Sequence, residues 1–340
     1  MISEVTRESR VPVVLLFAGT SILAGCANDQ QIHRNTTEEL FYQELAAEAD
    51  ILFVIDDSQS MADEQLLVAD GFHGFITALI EEDLDWRVAV VSTDMDKSFA
   101  EKGQFVGDTP WLTPDDEDYV GEFFERIQVG IDGSDKEQGL KAAMHALTDP
   151  KALEVNEGFR RDSAALALIF VSDENDCSND ATLADDADGA LCYEYDDALI
   201  PVSDVISELR GIVGLDGRMV ASGIVGPLAA NGCDGSWPGH RYLTVTEKLD
   251  GLAGNICDNE YQTVMEDLGS RIAGPIYVFQ LEYAAAEGTI AVVVDDEYEV
   301  EEDDDDGFTY DAEYWQVRFD GDYVPPPGSE IRISYTIGTE

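Results

Sequence analysis

Three apolar runs govern what this 340-residue chain can fold into: ILFVID (51–56), WRVAVVSTD (86–94) and ALALIFVSD (165–173). A strand with one wet face alternates polar and apolar residues; a strand without alternation is buried on both faces. Between the runs lie helical patterns. Residues 62–80 carry a stripe of Leu67, Phe72, Phe75, Ile76, Leu79 and Ile80. Further helices are predicted near 118–127, 135–147, 202–213, 241–252 and 260–272, with strands near 219–225 and 276–282. Strands separated by helices predict an α/β fold, a doubly wound and mostly parallel sheet covered on both sides. Ligands of such sheets bind beyond the carboxyl ends of the strands. Asp56, Asp94 and Asp173 all stand at predicted carboxyl ends, which points to one acidic edge.

After about residue 284 the helices stop. TIAVVV (289–294), YWQVRF (314–319) and IRISYTI (331–337) read as strands with Gly, Pro and Asp turns between them. Residues 284–340 are therefore expected to form a small β-rich appendage, and 49–283 the α/β domain. The acidic tract 295–306, ten of whose twelve residues are Asp or Glu, is expected to be a solvated, mobile loop.

The N-terminus reads as a processing signal. Arg7 and Arg10 precede a 14-residue apolar run (11–24), too short to span a bilayer and suited to a signal peptide. The run ends Leu23-Ala24-Gly25-Cys26, which resembles the lipobox of bacterial lipoproteins. That likeness implies cleavage of 1–26, lipid on Cys26, and a polar tether over 27–48. Ala27, where an Asp would signal retention in enterobacteria, implies the outer membrane. With Cys26 set aside, Cys177, Cys192, Cys233 and Cys257 form an even set in an exported chain and predict two disulfides. Four cysteines allow three pairings. Cys177–Cys192 and Cys233–Cys257 are favoured, because each closes a short loop rich in Asp, Asn and Gly. The competing zinc reading lacks a CxxC pair or clustered His.

The first strand runs into IDDSQSM, where Asp56, Ser58 and Ser60 form D-x-S-x-S. Alternate residues of a turn over the sheet edge can aim one carboxylate and two hydroxyls at one point, a donor set suited to a hard divalent cation. The plainer alternative is a turn whose Asp and Ser cap the next helix. In this position the motif resembles the metal-ion-dependent adhesion site of the von Willebrand factor A (VWA) domain, a Rossmann-like fold. The resemblance covers roughly 49–283. It implies two further ligands: Ser134, five residues before Gly139 where the family has Thr, and Asp173 after a later apolar strand. FVIDDSQSM, the EQGL helix and VSDENDCS also resemble secreted VWA lipoproteins of myxobacteria-like bacteria. The implied cofactor is a divalent cation, Mg2+ foremost, with Mn2+ or Ca2+ as alternatives. The implied partner is a protein that presents Asp or Glu. Asp94 and Asp96 lie near the same edge, where capping a loop is the simpler role. Glu174, Asn175, Asp176 and Asp180 raise a second-ion reading, against that of a solvated insert.

Composition narrows the function. There are 72 acidic and 19 basic residues, for a net charge of −53. Such a chain has no basic face for nucleic acid or for anionic lipid. With 44% hydrophobic residues it can still build a core. No GxSxG, HExxH or phosphate-cradling loop is present, and Ser58 has no His near it in sequence. The sequence therefore favours a non-enzymatic, lipid-anchored binding module of the cell envelope. A calcium-stabilised structural lipoprotein and a metal-dependent hydrolase are the rival readings. Diffuse acid with scarce Lys fits an exported surface adapted to salt.

Overall fold

A computed structural model describes residues 35–338, apart from 44, 98–101, 184–190, 215–216, 229–232 and 234. The signal segment, Cys26 and the first part of the expected tether lie outside the described residues. The elements follow in chain order: β1 (Thr36–Tyr42), β2 (Glu48–Ile55), α1 (Ala62–Glu81), β3 (Asp85–Ser92), α2 (Tyr119–Ile127), α3 (Gly139–Thr148) and α4 (Leu153–Asn156). Next come β4 (Ala165–Ser172), α5 (Leu191–Glu194), α6 (Val202–Val213), β5 (Met219–Val225), α7 (His240–Lys248), β6 (Ala253–Asn255) and α8 (Gln262–Ala273). The last stretch is β7 (Val278–Gln280), β8 (Ala291–Val294), β9 (Tyr298–Val300), β10 (Phe308–Asp311), β11 (Gln316–Phe319) and β12 (Glu330–Thr336).

Five strands make a parallel sheet in the order β3-β2-β4-β5-β6. The pleat of β2 explains its unbroken apolar run. Ile51, Phe53 and Ile55 enter one core with Phe72 and Phe75 of α1, Phe123 of α2 and Leu268 of α8. Leu52 and Val54 enter the other with Leu140 of α3, Leu209 of α6 and Tyr242 of α7. Helices α1 and α8 approach closely because Gly269 has no side chain; a Cβ there would lie 2.6 Å from the Phe75 carbonyl. At the amino end of β2, the fully buried Asp50 accepts from Arg161 Nε at 2.8 Å. The chain leaves β2 toward β3 on one side and later returns to β4 on the other. The doubly wound order thus places its switch point between β2 and β4.

Two antiparallel sheets, β1-β12-β8-β9 and β10-β11-β7, face each other over a third core that includes Phe279, Phe319, Val292 and Ile333. Three expectations are corrected here. First, residues 36–42 are not tether: β1 pairs along its whole length with β12, and Phe41 meets Phe279 edge-on at 5.4 Å. The partner lies nearly 300 positions away, beyond any local pattern. Gln43 extends the join, exchanging two 2.8 Å amide bonds with the Ile276 backbone. Second, the strand expected over 276–282 does not extend the parallel sheet; β7 pairs antiparallel with β11, so the α/β part closes at α8. Third, the tract 295–306 is not wholly loop. Asp295 and Asp296 turn with positive φ (54° and 58°), which short polar side chains tolerate, and β9 follows with Val300 buried. Strands β6, β9 and β10 are three or four residues long, too short for a period to register.

Phe53 is fully buried, with ring centroids 5.4 Å from Phe75 and 5.0 Å from Phe123. Phe53→Ala is expected to cost about 3–5 kcal/mol, measured as a lower urea midpoint at unchanged slope.

Candidate metal centre

Asp56 is the residue after β2, and its N–H continues the ladder to the Val171 carbonyl at 3.0 Å. It is fully buried. Both carboxylate oxygens are oriented: Oδ1 accepts from the Ser58 N–H at 2.7 Å, and Oδ2 from the Ser172 hydroxyl at 2.7 Å. The Ser58 and Ser60 hydroxyls are 3.1 Å apart. Ser58 precedes a short helical turn (Gln59–Met61) but its side chain makes no capping bond, and no side chain caps α1. The capping role open to these residues is therefore not the one they take. Asp173, the residue after β4, stands across the switch point. Its Oδ1 is buried without a hydrogen-bond partner. The Ser60 hydroxyl and Glu64 both bear on its carboxyl group.

Ser134 arrives by a different route. The Gly133 N–H donates to the Asp57 carbonyl at 2.8 Å, and a Cβ on Gly133 would fall 2.2 Å from Asp57 Oδ1. Only glycine allows this approach. Lys97 holds the same loop by donating to the Asp132 and Gly133 carbonyls. The loop therefore reaches the acidic edge, yet the Ser134 hydroxyl accepts from its own loop, the Lys136 N–H at 3.2 Å. Asp56, Ser58, Ser60 and Asp173 are brought together; Ser134 stands beside them without bonding to them.

Several residues of this edge carry no sequence motif. Gln65 of α1 donates to the Asp56 carbonyl at 2.9 Å and the Gly130 carbonyl at 2.8 Å, tying the two loops together. Glu137 is buried, accepts from the Thr93 hydroxyl, and leaves Oε1 without a partner. Asp94 closes its own loop, with Oδ1 accepting from the N–H groups of Asp96 and Lys97. Asp96 pairs with the buried Lys136 at 2.7 Å. Asp176 is fully committed to protein donors: the Leu140 N–H at the start of α3, both Ser178 groups and Arg241 Nε. Asn175 Oδ1 accepts the Arg241 N–H, and Asp180 is exposed. Of the four residues of the second-ion reading, Asn175 and Asp176 are thus engaged by protein donors.

Both favoured disulfides form. Cys177–Cys192 and Cys233–Cys257 have Cα–Cα distances of 5.2 and 5.3 Å. Between them, the Trp237 N–H donates to the Asp173 carbonyl at 2.7 Å.

The edge concentrates buried acid. Burial, together with the charge of Asp173, pushes the Asp56 carboxyl up to about 7. Burial also pushes Asp57 and Asp173 each up to about 6, and raises Glu137 well above the carboxylate range. Hard oxygen donors, two uncapped hydroxyls and an unpartnered carboxylate oxygen fit a small divalent cation. Among the described residues, a group of three carboxylates near one another occurs only at Asp303, Asp304 and Asp305, which are exposed. The two-carboxylate, two-hydroxyl set is a different arrangement.

No protein-family model matches the sequence, and no curated protein matches it. Solved structures of VWA type are similar at low identity. A von Willebrand factor type A protein from Catenulispora acidiphila shares 12% identity over 92% of this chain and 68% of its own, with a TM-score of 0.42. The pilus adhesin SpaC from Lactobacillus rhamnosus GG shares 11% over 89% of this chain and 42% of its own, at 0.43. Proximal thread matrix protein 1 from the mussel byssus shares 11% over 72% and 51%, at 0.41. The chain spans about half the length of the latter two. Such likeness transfers no residue roles.

A carboxyl raised on folding stabilises the fold while protonated. Its contribution is complete below about pH 4 and is lost as pH rises through about 6–7. In chelator at fixed ionic strength, the melting temperature is therefore expected to fall across that window. The fall should be shallower in Asp173→Asn.

Proposed function

We propose that this chain is an exported, non-enzymatic binding module of VWA type, which engages an Asp or Glu of a protein partner through a divalent cation. The observation that carries the reading is the convergence of Asp56, Ser58, Ser60 and Asp173 at the switch point, with Asp173 Oδ1 buried and unpartnered. Ser58 and Ser60 would hold the cation by their hydroxyls, Asp56 and Asp173 by carboxylate directly or through water, and Ser134 from the adjoining loop. The bound cation, Mg2+ foremost and Mn2+ or Ca2+ as alternatives, would supply an electrophilic position for a partner carboxylate. The chain's own residues set that position. Ser172 and the Ser58 amide fix the Asp56 carboxylate, and Gln65 and Gly133 fix the two loops. With hydroxyls in place of further carboxylates, charge is left for the partner's acid to neutralise.

Attachment to the membrane is assigned to lipid on Cys26, with the outer membrane as destination. Among the described residues, no helix is long and apolar enough to cross a membrane. Around the site, Asp96 pairs with Lys136, while Asp94 and Asp176 accept from backbone N–H groups.

The test is metal titration followed by capture. Joint alanine substitution of Asp56, Ser58 and Ser60 should weaken Mg2+ or Mn2+ binding by more than the about 10–100-fold lost with an outer partner of a metal site. Unchanged affinity would sink the assignment. Wild-type protein should retain envelope proteins in Mg2+ and release them in EDTA, while Asp56→Ala retains none. Capture that is indifferent to EDTA, with a melting temperature that depends on Ca2+, would favour the structural role instead. Metal-dependent turnover on a hydrolase panel would favour the enzyme.

A further inference from the structure

Between α6 of the α/β part and the β10–β11 hairpin of the sandwich lies a cavity of about 420 Å³, none of whose lining residues belongs to the candidate metal centre. Small-molecule sites occupy about 300–1,000 Å³. Ile206 of α6, Leu281 after β7, and Tyr314 and Trp315 of the hairpin loop give the cavity apolar and aromatic walls. The walls are fixed in place. Gln280 Nε2 donates to the Tyr314 carbonyl at 2.9 Å, and the Leu281 N–H donates to the Trp315 carbonyl at 2.9 Å. Asp311 Oδ1 accepts from the N–H groups of Glu313 and Tyr314 at 3.0 and 3.2 Å.

Two residues of the lining break local rules, and both do so on this cavity. Gly211 lies near the end of α6, where glycine weakens a helix relative to Ala. Among the glycines of the described helices it alone needs no close approach. A Cβ there would meet nothing within 4 Å, whereas on Gly71, Gly74, Gly121, Gly139 or Gly269 it would fall within 2.8 Å of a neighbour. The effect of Gly211 is to leave the cavity wall bare. Trp315 sits in the left-handed region with φ 55°, and is the one aromatic among the described non-glycine residues with positive φ. A bulky side chain is out of place there, and strain of this kind collects at ligand clamps.

The charges at the cavity select a cation. Glu282 and Glu313, both exposed, stand at the rim. The one basic residue of the lining, Arg210, is engaged elsewhere: it donates to the Lys248 carbonyl at 3.3 Å, and Asp250 is the carboxylate that bears on it. The hairpin loop already meets one ammonium group. Lys248 Nζ lies 5.4 Å from the centroid of the Tyr314 ring and 2.7 Å from Asp311. Trp315 and Glu313 offer the same pairing of ring and carboxylate to a ligand. The net charge of −53 also favours the approach of a cation over that of an anion.

We propose that this cavity binds a small organic monocation with an apolar body, of the arylalkylammonium class. The body lies against Trp315, Leu281 and Ile206 in the room that Gly211 leaves, and the ammonium group lies at the rim with Glu282 and Glu313. The site is independent of the metal reading of the Asp56 edge.

The test is calorimetric titration with phenethylammonium chloride at neutral pH and fixed ionic strength, with EDTA present throughout. Wild-type protein should bind one equivalent with a dissociation constant below about 1 mM. Phenylpropionate, which carries the same ring with a carboxylate, should bind at least about tenfold more weakly. Gly211→Leu gains helix propensity without a clash, so it should melt about 1–3 °C above wild type. It fills the cavity, so it should bind the amine at least about tenfold more weakly. Absence of saturable binding, equal binding of the carboxylate, or wild-type affinity in Gly211→Leu overturns the site; diffuse attraction to the acidic surface would survive that substitution unchanged. Should Gly211→Leu melt below wild type, Trp315→Ala decides the matter. It leaves the charge unaltered and should lose a similar factor in affinity, and retained affinity overturns the proposal.

Discussion

The burial of β2 on both faces, between parallel neighbours, is the constraint on which the rest depends. A strand in that position must be apolar throughout, and it must emerge at the same edge as β3, β4 and β5. The first residue past the apolar run is then Asp56, still buried and held by the ladder bond to Val171. Because the chain departs from β2 and β4 to opposite sides, the loops there part and leave a crevice. Asp173 borders the same crevice because β4 is the next strand over. The position of the candidate site is thus a consequence of strand order, and its chemistry a consequence of which residues end the strands.

That edge works against stability. Asp56, Asp57, Asp173 and Glu137 are all raised by burial. Lys97 and Lys136, nearby, are engaged with loop carbonyls and with Asp96. Buried acid without a cationic partner is what makes this edge a candidate site. By contrast, Asp50 and Asp176 are buried acids with fitted arginine partners. Their role is to fix the sheet's amino end and the start of α3. The contrast between the two kinds of buried acid separates a site from a brace. The net charge belongs to neither, since it is spread over loops, helix faces and the tract that β9 interrupts.

The crevice is framed by loops that small constraints hold in place. Cys177–Cys192 and Cys233–Cys257 close loops following β4 and β5 on the same edge. A loop-closing bond acts mainly on the unfolded chain, by removing conformations it would otherwise explore. In the folded chain, Trp237 reaches the Asp173 carbonyl from within the second of these loops, and Gly133 reaches Asp57 from the far side.

Much of the α/β part was legible in the sequence. Runs such as ILFVID and ALALIFVSD have one reading, and D-x-S-x-S at the end of the first run marked Asp56, Ser58 and Ser60 before any fold was known. Asp173 was legible for the same reason, as the end of another unbroken run. The pairing of β1 with β12 and the switch of β7 to the sandwich were not, because register between distant strands leaves no local periodicity. Gln65 and Glu137 are ordinary residues of a helix and a loop until the fold brings them to the acidic edge. The sequence alone determined which strands are buried and which oxygen donors end them, since burial and alternation are written locally. Only the tertiary structure decided which buried charges are partnered and which are not, because that depends on side chains far apart in the chain.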